Sequence, residues 1–422
     1  MDTLANLQSA ILDMELRHVN FFNGRLLSGE DLSAERDANH VHLRQLGQAI
    51  GAGVACGLEV SRAQSSPPSD VQVVVTAGMA INKEGQVLRL ACDQTVSLVR
   101  KPDLAKKAEC VFSDCAPFAA GTTLSGDGYY LLTIAPASQR EGLAPISGLG
   151  NSPAACNSRY FTEGVQFRLL PMSVSPPSDA AHARNEVAYQ CFGRTTRGLG
   201  DLATDATSGK TSDTYALENL IPSKRLTGRD VPLAVIEWKS GSGIGFIEMW
   251  SVRRRITRPE LAPEWSLWES DSCQIENEAR SLQFQDHIEA RLASAGNPST
   301  VEARQFLTFL PSAGVLPLAG GRYQQGFDLL RFFNGVTARR PLHVEGARAR
   351  MLLQMSLNFP PIDLRSRQMI WQYVVRENHQ AVDQARGNTP QTYLLFASGQ
   401  IPYQAEPRFD VSRWSYSNYL IG

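Results

Sequence analysis

Residues 21–60, FFNGRLLSGEDLSAERDANHVHLRQLGQAIGAGVACGLEV, decide how this 422-residue chain is built. An aromatic pair, Phe21 and Phe22, runs into Asn23-Gly24, the strongest short turn signal because both residues tolerate positive φ. Ser28, followed three residues on by Asp31, has the form of a capping box with Asp in place of the usual Glu. Leu32, Val41, Leu43, Leu46 and Ile50 then make the apolar face of a helix, with Glu30, Glu35, Arg36, Asp37 and Arg44 outside. Gly51 and Gly53 end that helix, and Val54 to Val60 reads as a buried strand. A helix delivered onto the first strand of a β-domain is an architectural module, and no known chemistry asks for that order of parts.

Upstream, Leu4, Leu7, Ile11 and Met14 fall at steps of three, four and three, which puts them on one helical face. A stripe that short does not hold a helix by itself, so it must dock, on its own domain or on a neighbouring subunit or copy. Downstream, β signals dominate. Asp70 to Thr76 is β-branched, and Gly78 to Ala91 reads as a hairpin around Glu84-Gly85. Gly128 to Pro136 and Gly164 to Pro171 are further strands, and the Gly-, Pro- and Ser-rich residues from Ala137 to Ala155 read as long loops. Asp179 to Cys191 reads as a short helix and Thr195 to Asp213 as a loop, after which Val231 to Trp238 pairs with Gly245 to Trp250. Glu264 to Ala295 has helical spacing in Trp265, Trp268, Ile275, Leu282, Phe284, Ile288 and Leu292, and stops at Gly296-Asn297-Pro298. The last region holds the run Phe306 to Pro317, a helix over Ala347 to Gln354, and strands near His343, Met369 to Arg376 and Tyr393 to Ser398.

The expected architecture is α+β and mostly β: N-terminal helices lead into antiparallel β-sandwich-like domains, with a long helix between two β-rich regions. The corresponding division is a helical docking segment over 1–53, a β-rich domain over 54–258, a helical connector over 259–298 and a C-terminal β-rich domain over 299–422.

Composition narrows the function. Hydrophobic residues are 43% and charged residues 20%, the balance of a globular protein. A formal net charge of −1 supplies no bulk field for nucleic acid or an anionic membrane, so neither is an expected partner. The densest basic run, Arg253 to Arg255, lacks the interleaved aromatics of a nucleic-acid surface and reads as a solvated strand end. No stretch has the length or apolarity of a membrane span, and the first residues lack the apolar core of a signal peptide, so synthesis in the cytosol is expected. Seven scattered cysteines suit buried thiols in a reducing compartment; Cys110 and Cys115, a lone C-x4-C, read as reduced loop thiols rather than a metal site.

Motif lookalikes fail on context. Gly51, Gly53 and Gly57 imitate a dinucleotide fingerprint, but the fingerprint needs strand before helix and here the helix comes first. Ser208-Gly209-Lys210-Thr211 imitates the end of a phosphate loop, yet Thr204 stands where its first glycine belongs. His40 and His42, two apart on a helix, face different ways. No catalytic residue, cofactor site or metal site emerges, and an enzyme is not expected.

Several stretches resemble a family. FFNGRLL, SGEDLSAE and GVACGLEV are similar to the aromatic-x-G-[KR]-L-L turn, D-[FL]-x-x-E helix start and G-V-V-x-G-L-E-V strand found in proteins of phage-tail-like contractile injection systems. VVVTAGMAINKEGQVLRL is similar to the P-G-x-A-[IL]-D-x-x-G-[KR]-x-[IL] hairpin that follows in baseplate and tail-fibre proteins, with Ala77 in place of the proline and Asn82 in place of the aspartate. VPLAVIEWKSGSGIGFIEMWSVRR looks like the strand, glycine turn, strand and arginine that close such domains. The resemblance covers residues 15–95 and 230–256. It implies a structural subunit of a baseplate or baseplate-attached fibre, whose partners are other tail proteins in a homo- or hetero-oligomer. Leu4, Leu7, Ile11, Met14, Phe21 and Phe22 are the candidate partner contacts. The alternative is a receptor- or glycan-binding adhesin, with Tyr393, Trp414, Tyr416 and Tyr419 as ligand-facing aromatics.

Overall fold

The computed structural model describes residues 16–63, 71–98, 124, 126–145, 156–192, 216–222, 225–257, 271–294, 296–318, 326–338, 341–344, 346–376 and 392–402. The N-terminal stripe from Leu4 to Met14, the loop 195–213, the Cys110/Cys115 pair and the aromatic tail beyond 402 lie outside these residues.

Helix α1 (Gly29–Ile50) begins at the expected capping box: the Asp31 amide donates to the Ser28 hydroxyl at 3.1 Å, and the Ser28 amide donates to the Asp31 carboxylate at 3.0 Å. The following apolar run is two strands, not one. Strand β1 (Gly53–Gly57) stops at a left-handed corner, where Gly57 has φ 57° and Leu58 φ 58°, and β2 (Val60–Arg62) leaves in a new direction. Left-handed backbone at a buried leucine is uncommon and needs to be held by its surroundings. The corner sends the chain into two sheets. Strands β1, β4 (Gly78–Ile81) and β5 (Val87–Leu90) form one, ordered β1-β4-β5; β2, β3 (Gln72–Val75) and β6 (Gln94–Ser97) form the other, ordered β2-β3-β6.

Strands β7 (Gly128–Pro145), β8 (Cys156–Met172), β9 (Val231–Lys239) and β10 (Gly243–Glu248) make a four-stranded antiparallel sheet ordered β10-β9-β7-β8. Alternate residues serve its two faces. Tyr130, Leu132, Ile134 and Ile236 join Val60, Val73, Val75, Ala80 and Leu88 in a core shared with the two small sheets. Leu131, Leu170 and Val235 face the other way, onto α2 (Ala183–Phe192) and α3 (Ala216–Leu220) through Val187, Cys191 and Leu217. Under this second core, Arg168 and Asp230 form a buried ion pair, with the Thr133 and Thr227 hydroxyls donating to the same carboxylate.

Strands β7 and β8 depart from the sequence reading. The segment taken as loops from Ala137 pairs in register as far as Pro145 with Cys156, well past Ile134–Val231, where pairing with β9 ends. Gly142 and Pro145, counted as loop signals there, sit in a two-stranded ribbon, where cross-strand hydrogen bonding overrides their local preference, and residues 146–155 lie outside the described residues.

The C-terminal half repeats the layered logic. Helix α4 (Asp271–Ser294) is followed by β11 (Phe309–Leu310), β12 (Ala313–Pro317), α5 (Leu329–Phe332), β13 (Leu342–His343), α6 (Gly346–Ser356), β14 (Ile362–Asp363), β15 (Ile370–Arg376) and β16 (Thr392–Ser398). The sheet runs β12-β16-β15-β13, with β13 parallel to β15 and the other pairs antiparallel. One face packs Leu316, Ile370, Leu394 and Phe396 with Phe284 and Ile288 of α4; the other packs Ala313, Tyr373, Leu395 and Ala397 with Leu352 of α6. The fold is α+β and mostly β.

Candidate interaction surface

Helix α1 docks through small side chains. Its buried residues are Ala38 and Gly47. Gly47 meets the β4–β5 turn, where Gly85 has φ 79°, and a Cβ at Gly47 would collide with the Gly85 carbonyl. Close backbone approach thus holds the helix, and its large apolar residues are turned away. Leu32, Leu43, Leu46 and Ile50 are all exposed, Leu43 by 61%, and Val41 is half-buried. Four of the five residues that spacing assigned to the helix's apolar face therefore lie on an outer surface of the chain, and Val41 stands on the other side of the helix.

The segment before α1 lies against the same helix. Glu35 accepts from the Val19 amide at 2.9 Å and bonds His18 at 3.0 Å, and these contacts hold its carboxyl below the usual range. Asp31 is likewise held low, first by the Ser28 amide and hydroxyl and then by Arg25, whose guanidinium donates to it at 2.6 Å. Arg25 also stands 6.0 Å from the Phe22 ring centroid. Phe21 and Phe22, the two candidate contacts among the described residues, are exposed by 55% and 62%. Leu26 at 94% and Leu27 extend the apolar surface to the helix cap. The sequence reading passed over both, although Leu27 and Leu32 hold the N′ and N4 positions at which a hydrophobic staple forms.

The β7–β8 ribbon adds a second, unforeseen element. Tyr160 and Phe161 are exposed on opposite faces of β8. The Phe161 ring lies under two guanidinium groups, Arg140 at 5.2 Å and Arg36 of α1 at 5.9 Å, so the ribbon meets the flank of the exposed stripe. Aromatic and arginine side chains of this kind are enriched in protein–protein interfaces.

Other candidates take different places. Tyr393 is half-buried in β16, in register between Pro317 of β12 and Val375 of β15; Trp414, Tyr416 and Tyr419 lie outside the described residues. His42 is exposed and His40 half-buried on α1. The arginine run is no solvated strand end. Arg253 and Arg254 are buried, and only Arg255 is exposed, paired with Glu278 at 2.8 Å. Arg253 donates to the Leu58 carbonyl at 3.1 Å and to the Gly57 carbonyl, while Arg254 donates to the carbonyls of Trp250 at 2.7 Å and Ser251 at 3.0 Å. Burial forced this outcome, because a guanidinium removed from water needs several acceptors and backbone carbonyls supply them.

No protein-family model matches the chain, and no curated protein matches it. Among solved structures it is weakly similar to a chain of a type VI secretion system TssK-TssF-TssG baseplate subcomplex determined by cryo-electron microscopy. That likeness has 10% sequence identity and a TM-score of 0.24, and covers 67% of this chain and 73% of the other.

Proposed function

We propose that this chain is a structural subunit of a contractile, phage-tail-like particle, placed in the baseplate or on a fibre attached to it, and that it acts through protein–protein contacts rather than catalysis. The observation that carries the reading is the outward apolar stripe of α1, continued by Phe21, Phe22, Leu26 and Leu27 at the helix start. Large apolar side chains gathered outward on one short segment and its helix commonly mark a protein–protein interaction site. The stretches that resemble tail proteins support the same reading, since FFNGRLLSGEDL builds the cap and flank of this very surface. In this reading the chain is made in the bacterial cytoplasm, needs no cofactor, and has other tail proteins as its partners.

Sedimentation of tail-like particles from cells that produce them provides the test. The full chain is expected in the particle fraction, and the variant Phe22→Glu, Leu26→Glu is expected in the soluble fraction with an unchanged melting temperature, because both side chains are exposed. Intact particles carrying that variant would sink the docking role of the N-terminal module. A full chain that runs as a free monomer and never accompanies tail proteins would overturn the reading altogether.

A further inference from the structure

The tetrapeptide Phe-Phe-Asn-Gly occurs twice in the chain, at Phe21–Gly24 and at Phe332–Gly335. Both copies build a tight turn of the same kind. The Arg25 amide donates to the Phe22 carbonyl at 3.2 Å and the Val336 amide to the Phe333 carbonyl at 3.1 Å, with Gly24 at φ 87° and Gly335 at φ 74°. Asparagine is chemically vulnerable before glycine, because a residue without a Cβ lets its own amide nitrogen approach the preceding side chain. From sequence the two asparagines are equivalent.

Their surroundings separate them. Phe332 and Phe333 are buried in the core with Phe306, Phe327 and Phe396. The Asn334 amide donates to the Arg331 carbonyl at 3.0 Å, and the Gly335 carbonyl accepts from Arg304 at 3.3 Å. The first copy lies open. Phe21, Phe22 and Asn23 are exposed, and a Cβ at Gly24 would meet nothing within 4 Å. Arg25 ties the end of the turn to the Asn20 carbonyl and to Asp31. Among the described residues, neither the Asn23 side chain nor the Gly24 amide makes a hydrogen bond.

We propose that Asn23, and not Asn334, is a site of spontaneous deamidation, and that its conversion switches off docking through the N-terminal module. The Gly24 amide nitrogen attacks Cγ of Asn23, the bond from Cγ to the side-chain nitrogen breaks, and ammonia leaves with the proton the amide gives up. Water then opens the cyclic imide at either carbonyl, giving aspartate or isoaspartate and one new negative charge. Isoaspartate also carries the main chain through the former side chain. The added methylene prevents the Arg25 amide from closing on the Phe22 carbonyl and re-aims Phe21 and Phe22 against Leu26 and Leu27. Either product puts a carboxylate among apolar contacts, where a partner would have to strip it of water. The switch rests on the reading of this module as a docking surface; the conversion of Asn23 does not.

Peptide mapping by mass spectrometry of the purified full chain, kept at mildly alkaline pH and sampled over time, tests the chemistry. The ratio of Asn23 to Asn334 conversion is expected to be at least about tenfold larger in the folded chain than in urea, since two hydrogen bonds and two packed rings must open first at Asn334. A ratio unchanged by folding overturns the proposal, and so does an Asn23 that stays intact until urea is added. Partly converted chain is then added to an extract of tail-producing cells that lack it, and residue 23 is mapped in the sedimented and soluble fractions. Aspartate and isoaspartate are expected to be enriched several-fold in the soluble chain; equal content in both fractions overturns the switch. A chain that enters no particle, converted or not, defeats the docking reading and the switch with it, and leaves the chemistry of Asn23 standing.

Discussion

At the residue scale, the most consequential side chain is one whose surroundings the sequence concealed. Arg253 crosses between distant parts of the chain to hold the carbonyls of Gly57 and Leu58, the corner at which one strand becomes two. Its removal strands two carbonyl groups and releases a left-handed leucine. Arg253→Ala is expected to cost about 2–4 kcal/mol of unfolding free energy, since hydrogen bonds to a charged donor contribute about 1.5–3 kcal/mol each and the losses overlap. Urea denaturation of the variant beside its parent checks this; a cost below about 1 kcal/mol would mean that the corner is held by other means. The GLEV strand and the closing arginine were legible as separate pieces of a resemblance. Their contact was not, because spacing along a chain carries no information about a bond spanning 195 residues.

At the scale of elements, local chemistry was legible and orientation was not. The capping box, the Glu84-Gly85 turn, the β9–β10 hairpin and the two long helices could all be read from residue types and periods. The reason α1 faces outward lies in its two smallest docked residues, Ala38 and Gly47, which carry almost no weight in a hydrophobic pattern. The β7–β8 ribbon escaped notice because glycine and proline dominate local propensity, while its pairing is a property of two strands together. Gly47→Ala tests the docking of α1. The added methyl strengthens the isolated helix by up to about 1 kcal/mol but strikes the Gly85 backbone, and overpacking at such a contact costs about 1–3 kcal/mol. Hydrogen exchange is expected to quicken across α1 while the strands of the shared core keep their protection. Unchanged exchange in α1 would refute docking by close approach.

At the scale of the whole molecule, α2 joins the two β-rich halves with apolar and polar contacts together: Tyr189 stacks on Phe309 of β11 in a cluster with Phe192 and with Ala279 of α4. Asn185 accepts from the amides of Thr308 and Phe309, both at 2.9 Å, and Arg184 bridges Glu248 of β10 and Asp286 of α4. Burial raises the Glu248 carboxyl against the pull of Arg184. His287, one turn from Gln283 on α4, is buried against Phe306 and held down to about 3 by burial, with Arg184 and Arg291 adding to the effect. An unfolded histidine takes up its proton near pH 6.5, and His287 in the fold does not until about 3. Acidification from 6.5 towards 3 therefore favours the unfolded chain at this site, and the neutral ring's contribution is fully present only above 6.5. The melting temperature of His287→Leu is expected to fall less steeply than that of the parent across this window. Parallel curves would show that the ring titrates normally and that the joint is open to water.

The corner held by Arg253 also bears on the order in which the molecule is made. Strands β1 to β6 lie within the first hundred residues, yet the clamp on their central bend arrives with residue 253, and the backbone bond from the Val54 amide to the Arg254 carbonyl arrives with it. A nascent chain at about 5–20 residues per second spends many seconds with both small sheets translated and their shared corner unfastened. Contacts so distant in sequence also make closure slow once the chain is free. The first module therefore reaches its final shape late, and the helix capped at Ser28, anchored to the β4–β5 turn, is fully positioned for docking only after the β9–β10 hairpin has come into place.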